Sequence, residues 1–214
     1  FDAVFEHDNT FDKFYTWGLT NNPKNEQMPS WRLSRAMKEI EKLNFDKKDN
    51  TLNTVDLYVC RSLSRKHTGS LALTIAEANK MREGRAKLAK TFSKQKDKSL
   101  LVRPRPSDMH GNFGNSVEEF FNFPNISVSP TVENKNYKNI YELFVTSRIV
   151  IFESFSTGLF ECLVSNTPCI LYLYKKYLSI ERIEGRELLN SLNELGIVFF
   201  KPENVVNNLN DHFI

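Results

Sequence analysis

The chain has 214 residues, which is enough for one well-packed core with a small additional element beside it. Its composition, 40% hydrophobic and 26% charged, is that of an ordinary soluble protein and excludes low-complexity and collagen-like classes. The formal charge of +3 is mild, and the lysine runs are typical of solvated turns, so we expect no nucleic-acid partner. No apolar run reaches the roughly 20 residues that a membrane helix needs.

The cysteines indicate the redox environment of the protein, and the first residue indicates whether the sequence is part of a longer one. Cys60, Cys162 and Cys169 are odd in number, and two of them lie in apolar runs, which favours reduced, buried thiols in a cytoplasmic protein. The sequence begins with Phe1, so we expect it to be part of a longer protein whose partner domain lies outside it.

Residues 1–50 are predicted to be largely irregular. One helix is expected near Trp31–Leu43, where Leu33, Met37, Ile40 and Leu43 recur at helical spacing. The polar stretch FDKKDNTLNT that follows predicts a linker. We therefore divide the chain into an N-terminal segment and linker over 1–50, a remnant of or contact to a partner domain, and an α/β domain over 51–214.

From residue 55, short apolar runs alternate with longer amphipathic ones. The predicted strands are Val55–Cys60, Leu100–Val102, Ile126–Ser129, Arg148–Phe152, Cys169–Tyr174 and Ile197–Phe200. The predicted helices are Gly69–Phe92, a short one opened by a capping box of Ser116 and Glu119, Asn139–Thr146, Gly158–Ser165, Gly185–Leu195 and a last one from Pro202. Gly196 is expected to end the fifth of these helices. This alternation predicts a doubly wound parallel sheet with helices on both faces, a Rossmann-like α/β fold.

Cations and hydroxyls follow three of the predicted strands. Arg61, Arg65, Lys66 and His67 follow the first, Arg103, Arg105 and His110 follow the second, and Ser154, Ser156 and Thr157 follow the fourth. Open parallel sheets bind ligands outside the carboxyl ends of their strands, so this pattern favours an anionic, phosphorylated ligand. The alternative is that surface loops are polar in any case. The RPRP segment favours the first interpretation, because two prolines stiffen a segment that carries two guanidinium groups.

The segment ESFSTGLFE, residues 153–161, is the most informative. A strand ends, a hydroxyl-rich turn follows and a helix begins near Gly158, so free N–H groups and the Ser156 and Thr157 hydroxyls can bind phosphate. Gly158 leaves room for a ligand near the backbone, and Glu161, one turn later, can reach a ribose diol. Alternatively, Ser156 only caps the helix and Glu161 only favours the helix dipole. The spacing leaves both interpretations open.

Other sequence motifs are missing. The chain has no G-x-G-x-x-G, no G-x-x-x-x-G-K-[ST], no CxxC, no HExxH, no acidic cluster and no G-x-S-x-G. A dehydrogenase, a P-loop ATPase, a metal site and a response regulator are therefore disfavoured, and we expect no cofactor.

The stretch from about Leu100 to Phe213 resembles the C-terminal, donor-nucleotide-binding domain of GT-B-type glycosyltransferases, closest to bacterial transferases of surface-carbohydrate biosynthesis. The resemblance lies in LLVRPRPSD, NIYELFVTSRIVIFESFSTGLFECLVSNTPCILY and LNELGIVFFKPENVV. It implies that Ser154, Ser156 and Thr157 bind the donor phosphates, and that Glu161 contacts the ribose. It also implies that Arg103, or failing that Arg105, pairs with the diphosphate. This sequence departs from the family pattern in having Asn166-Thr167 before Pro168, where a glycine is common.

These observations predict a metal-independent transferase that moves a glycosyl or polyol-phosphate group from a nucleotide-activated donor to a surface-polysaccharide acceptor, either a glycan or a lipid-linked one. The donor would be a substrate, and the reaction would take place in the cytoplasm or at the inner face of the membrane. The general base is expected on the partner domain, with His7 and His110 as candidates within the chain. The alternatives are a non-catalytic nucleotide- or glycan-binding module and a sugar-nucleotide epimerase of the same architecture.

Overall fold

The structure is a computed structural model that describes residues 14–16, 25–28, 30–45, 55–61, 63, 74–104, 117–129, 139–175 and 183–211. Near the N-terminus, β1 (Phe14–Thr16) and β2 (Asn25–Gln27) pair in parallel, and α1 (Trp31–Phe45) follows. The β1–β2 pair lies in a region that the sequence predicted to be irregular. Two three-residue strands leave too little periodicity to be recognised, because their pairing is set by non-local contacts.

The rest of the described chain alternates strands and helices, as predicted. The elements are β3 (Val55–Val59), α2 (Ile75–Phe92), β4 (Ser99–Arg103), one turn of 3-10 helix (Glu118–Phe120), β5 (Ile126–Val128), α3 (Ile140–Thr146), β6 (Ile149–Phe152), α4 (Thr157–Val164), β7 (Cys169–Tyr172), α5 (Ile183–Glu194), β8 (Val198–Phe199) and α6 (Pro202–Asp211).

These six strands, β3 to β8, form one sheet in the order β5-β4-β3-β6-β7-β8, and every neighbouring pair is parallel. The chain therefore moves outward from β3 to β5, returns to place β6 beside β3, and then moves outward on the other side. This confirms the predicted doubly wound, Rossmann-like fold. The switch point of the sheet, between β3 and β6, is where such folds bind ligands.

Two apolar clusters cover the sheet, one on each face. The α2 face includes Tyr58 and Ile151 of the strands, packed with Leu88 and Phe92 of α2 and with Val205 of α6. The α4 face joins strand residues to α3, α4 and α5, and its members include Leu57, Phe144, Phe152, Leu159 and Leu189. All four residues of β6 are buried, as expected for a central strand covered on both sides.

The N-terminal helix α1 packs on the α4 face, against α3 and α4. Ala36 and Ile40 are buried there, whereas Met37, which the sequence assigned to the inner side, is 50% exposed. The difference is one of helical phase, because Ala36 and Ile40 form an i, i+4 pair and Met37 lies about 100° away from Ala36.

Several helix ends differ from the prediction. Helix α2 begins at Ile75, where Thr74 and Glu77 form a capping box, and the predicted start at Gly69 lies outside the described residues. Ser116 also lies outside them, and Val117 precedes the 3-10 turn without a side-chain cap, so the second predicted helix is a single turn. Gly196 has the left-handed φ of +70° expected of a residue that ends a helix. In the part of the chain that the structure describes, no helix is long and apolar enough to cross a bilayer.

Candidate functional site

The switch point brings together three of the segments that the sequence singled out. Val59 of β3 pairs with Arg103 of β4 on one side and with Phe152 of β6 on the other. The loops that follow these three strands therefore leave the sheet at one edge, side by side. Adjacent strands lie about 4.8 Å apart, so Arg103 and the end of β6 are separated by only about 10 Å.

Arg103 also lies on the side of the sheet that α4 covers. Side chains alternate along a strand, so Arg103 shares a face with Leu101, and Leu101 packs against the α4-face cluster. Arg103 is half-buried at the last position of β4. Arg103 and the hydroxyl turn before α4 are thus at the same edge and on the same face of the sheet.

The turn before α4 has the backbone that a helix N-terminus requires. Ser156 is the N-cap residue, with extended backbone (φ −137°, ψ 163°), yet its side chain makes no capping hydrogen bond. The alternative that Ser156 serves only as a side-chain cap is therefore wrong in this structure. The first-turn N–H groups and the positive end of the helix dipole remain a suitable environment for an anion.

Gly158 is not required by packing. A Cβ there would lie 3.5 Å from Ser156 Oγ and 3.6 Å from the Phe152 ring, which are ordinary contact distances. The fold could accept a side chain, so close approach of a ligand to this backbone stays a prediction.

Two arginines of α1 extend the site, and the sequence did not assign them to it. Arg32 donates a hydrogen bond from Nη1 to Thr157 Oγ1 at 3.1 Å, across 125 residues of chain. Arg32 and Arg35 also oppose the rise in the pKa of Glu161, which burial of that half-buried carboxyl produces. Both arginines lie in the segment read as a partner-domain remnant, and only the packing of α1 on α4 reveals their position.

Glu153, the first residue after β6, has a structural role. Its side chain is 1% exposed. Oε1 accepts hydrogen bonds from Tyr58 Oη at 2.5 Å and Arg85 Nε at 2.8 Å, while Oε2 accepts from the Arg61 backbone N–H at 2.7 Å and Arg85 Nη2 at 2.5 Å. Because four donors converge on this carboxylate, it is fully engaged inside the protein.

Arg85 is a further residue next to the candidate site that the sequence did not predict. It is a fully buried side chain of α2, one of the largest in the core. The signal was available, because Arg85 lies four residues after Met81 and three before Leu88, both of which are buried on the inner stripe of α2. A charge at such a position implies a buried partner.

Several other predicted residues can be placed only in part. Ser154, Ser156, Thr157 and Glu161 are half-buried around the start of α4. Arg65, Arg105, His110 and His7 lie outside the described residues. Among the residues that are described, no group of three or more His, Cys, Asp or Glu side chains is arranged to hold a metal ion.

The chain is an α/β protein with a Rossmann-like sheet, and Arg103 and the start of α4 lie at the switch-point edge of that sheet. A family model described as LIC12162 family transferase matches residues 4–213, and the chain belongs to this family of transferases. No curated protein and no solved structure matches the chain significantly. The match includes α1 as well as the α/β sheet.

Proposed function

We propose that this chain supplies the donor-nucleotide-binding part of a metal-independent GT-B-type transferase. The enzyme moves a glycosyl or polyol-phosphate group from a nucleotide-activated donor to a glycan or lipid-linked acceptor of surface-polysaccharide synthesis, on the cytoplasmic side of the membrane. Membership of a transferase family supports group transfer. The specific reaction rests on the resemblance to GT-B enzymes and on the chemistry of the switch-point edge.

The observation that carries the proposal is the position of Arg103 beside the α4 N-terminus, on one face and at one edge of the sheet. A diphosphate bound there would meet a guanidinium from one side and backbone N–H groups from the other. These groups stabilise the negative charge that builds on the departing diphosphate as the donor bond breaks. Arg105 and Arg65, which follow β4 and β3 in the sequence, would add positive charge.

The remaining roles follow from the same placement. The Ser154, Ser156 and Thr157 hydroxyls would bind phosphate oxygens, with Arg32 holding the Thr157 side chain in place. Glu161, one turn into α4, would accept hydrogen bonds from the ribose hydroxyls. The general base that activates the acceptor would come from the partner domain or from His110.

A thermal-shift screen of nucleoside diphosphates and nucleotide sugars tests this function. A ligand present at 100 times its Kd should stabilise the native protein by about 2.7 kcal/mol. The absence of any stabilisation across the uridine, cytidine, guanosine and adenosine series would contradict the proposal.

Arg103→Ala should weaken binding of the best nucleoside diphosphate by about 1.5–3 kcal/mol, the usual value of a charge-assisted hydrogen bond. Isothermal calorimetry measures the change. Lys94→Ala, which removes an exposed charge just after α2 at the opposite edge of the sheet, is the control and should bind as the wild type does. Equal affinities of the Arg103→Ala and Lys94→Ala proteins would remove Arg103 from the site.

A further inference from the structure

The backbone of Arg61 is held from both sides at the switch point. Its N–H donates to Glu153 Oε2 at 2.7 Å, and its carbonyl oxygen accepts from Arg85 Nη2 at 2.7 Å. Glu153 and Arg85 are themselves joined by two hydrogen bonds. Two rigid, buried side chains therefore fix the direction in which the chain leaves β3.

The stability of the fold alone does not account for the buried ion pair of Arg85 and Glu153. Its side chains are 0% and 1% exposed, so both charges lose their hydration, and a buried pair of this kind is often no more stabilising than apolar residues of similar volume. What an apolar replacement could not do is accept one hydrogen bond from the Arg61 peptide and donate another to it. The pair thus makes hydrogen bonds to both the N–H and the carbonyl oxygen of Arg61, which apolar residues could not make.

Arg61 lies where a ligand of this fold is expected. It follows β3 directly after Cys60, whose N–H donates to the Arg103 carbonyl at 3.0 Å, and it is joined through Glu153 to the end of β6. Its guanidinium is half-buried, and burial lowers its pKa although the carboxylates of Glu153 and Glu77 act in the opposite direction. A partly dehydrated guanidinium gains from a bound anion, which replaces the lost hydration with charge-assisted hydrogen bonds.

We propose that Arg61 contacts the diphosphate of the donor, and that Glu153 and Arg85 are positioning residues that present Arg61 to it. This deepens the proposed function and rests on it for the identity of the ligand. It singles out Arg61, among the cations that follow β3, as the diphosphate contact, and it assigns to Glu153 an indirect role through the peptide of Arg61.

The first test replaces Arg61 with Met, which keeps an unbranched side chain and removes the charge. We expect the affinity for the best nucleoside diphosphate and for inorganic pyrophosphate to fall by about tenfold or more. Lys90→Ala removes a charge from the last turn of α2, at the opposite edge of the sheet, and should change neither affinity. Equal losses in the two variants, or none in Arg61→Met, would overturn the role of Arg61.

The second test separates positioning from stability. Glu153→Asp keeps the charge balance of the pair but shortens the reach to the Arg61 N–H. Tyr58→Phe removes a different bond to the same carboxylate and leaves the Arg61 peptide contacts in place. We expect both variants to be less heat-stable and only Glu153→Asp to bind the diphosphate more weakly. Arg85→Lys, which keeps the charge and loses the planar fork, should behave like Glu153→Asp and replaces it if that variant does not fold.

A double-mutant cycle tests whether Glu153 acts on the diphosphate through Arg61. If Glu153 acts through Arg61, the Glu153→Asp, Arg61→Met double variant binds pyrophosphate no more weakly than Arg61→Met alone. Additive losses, or a loss in Tyr58→Phe that matches its lower stability, would show that the pair is only structural.

The two proposals fail in different ways. Wild-type protein that binds pyrophosphate through Arg61 but no nucleoside diphosphate would refute the proposed donor and leave the Arg61 site standing. Nucleoside diphosphate binding that is unaffected by Arg61→Met would refute the role of Arg61 and leave the proposed donor standing.

Discussion

Two carboxylates on the segment from β6 to α4, Glu153 and Glu161, are eight residues apart and differ in environment. Glu153 is buried and satisfied by four donors, whereas Glu161 is half-buried and has Arg32 and Arg35 as its charged neighbours. Burial raises the pKa of Tyr141, and the charge of Glu161 raises it further. Residues of α1, α3 and α4 therefore meet around Glu161. Of the two carboxylates, Glu161 is the one exposed enough for a ligand to reach.

Glu161→Gln should make the protein more stable at neutral pH. Burial raises the pKa of Glu161 in the folded state, so the folded protein loses stability as pH rises through that window and the carboxyl ionises. Glutamine removes this cost. The difference in Tm between variant and wild type should be positive at pH 7 and should shrink as the pH falls below the normal range for a glutamate. A difference that does not change with pH would contradict this.

The same substitution should weaken nucleoside binding, because a neutral amide accepts ribose hydroxyl bonds less strongly than a carboxylate. Calorimetry with UDP and CDP measures the loss, which we expect to be about 1.5–3 kcal/mol. Glu194→Gln, an exposed change at the end of α5, is the control. If UDP and CDP bind equally well before and after the Glu161 substitution, Glu161 does not contact the ribose.

At this scale the sequence predicted the local structure around Ser156 and Glu161, and their ligand contacts stay predictions. The Ser156 turn and Glu161 could be recognised because a strand end, hydroxyls and a helix start occur together in nine residues. Arg32 could not, since its contact with Thr157 depends on how α1 packs. The structural role of Glu153 could not be predicted either, because a position directly after a strand is the same for a buried carboxylate as for an exposed one.

At the scale of elements, side-chain hydrogen bonds join β3 to β6 at both ends of the paired strands. At the amino end, Arg148 donates two hydrogen bonds of 2.8 Å to Asp56, which is fully buried. At the carboxyl end, Glu153 of the β6 strand end binds the Arg61 peptide. The switch point thus depends on side-chain contacts as well as on the backbone ladder.

Arg148→Met should destabilise the protein by about 3–5 kcal/mol, the cost of leaving a buried charge without its partner. Burial already raises the pKa of Asp56 and Arg148 opposes that rise, so the pKa climbs further in the variant. The loss should therefore be larger at pH 7 than at pH 5, because stability falls as pH rises through a raised carboxyl pKa. Urea unfolding at both pH values measures it. The Asp56→Asn, Arg148→Met double variant should recover part of the lost free energy of unfolding. A double variant that is less stable than Arg148→Met alone would show that the unpaired charge of Asp56 is not the cause of the loss.

Helix α2 contacts the side chain of Tyr172, the last residue of β7, at Gly84. A Cβ at this position would collide with the Tyr172 hydroxyl. Alanine normally stabilises a helix by about 1 kcal/mol relative to glycine. We therefore expect Gly84→Ala to destabilise the wild type and to stabilise the Tyr172→Phe variant, where the hydroxyl is gone. Chemical unfolding of the four proteins measures both effects, and an equal effect in the two backgrounds would show that Tyr172 is not the obstacle.

The elements themselves were largely predictable because the periodicity changes from 2 to 3.6 at each boundary. All six predicted strands agree with the structure to within about two residues at each end, and β8 is a two-residue core of the predicted Ile197–Phe200. The 3-10 turn at Glu118–Phe120 was misread as a helix, because a polar residue three positions before a glutamate also occurs where only one turn forms.

For the whole molecule, α1 decides how the chain is organised. The sequence placed it with a partner domain, on the basis of the polar stretch after residue 45, and that division at residue 50 stays a prediction. The structure packs α1 on the same face as α3 and α4, with Arg32 at the candidate site. The fold class, by contrast, could be predicted from the alternation of strands and helices alone, because parallel strands need crossover helices on the faces of the sheet.

If α1 is part of one cooperative unit with the sheet, Ile40→Ala should lower the free energy of unfolding of the whole protein. Ile40 is 4% exposed, and a buried Ile→Ala change costs about 2–5 kcal/mol. Met37→Ala, on the exposed side of the same helix, should change the stability by less than about 0.5 kcal/mol. Thermal unfolding followed by circular dichroism should show one transition that shifts only for Ile40→Ala. An unshifted main transition, with a separate early loss of helix signal, would mean that α1 unfolds independently and that Arg32 is not held at the site by packing.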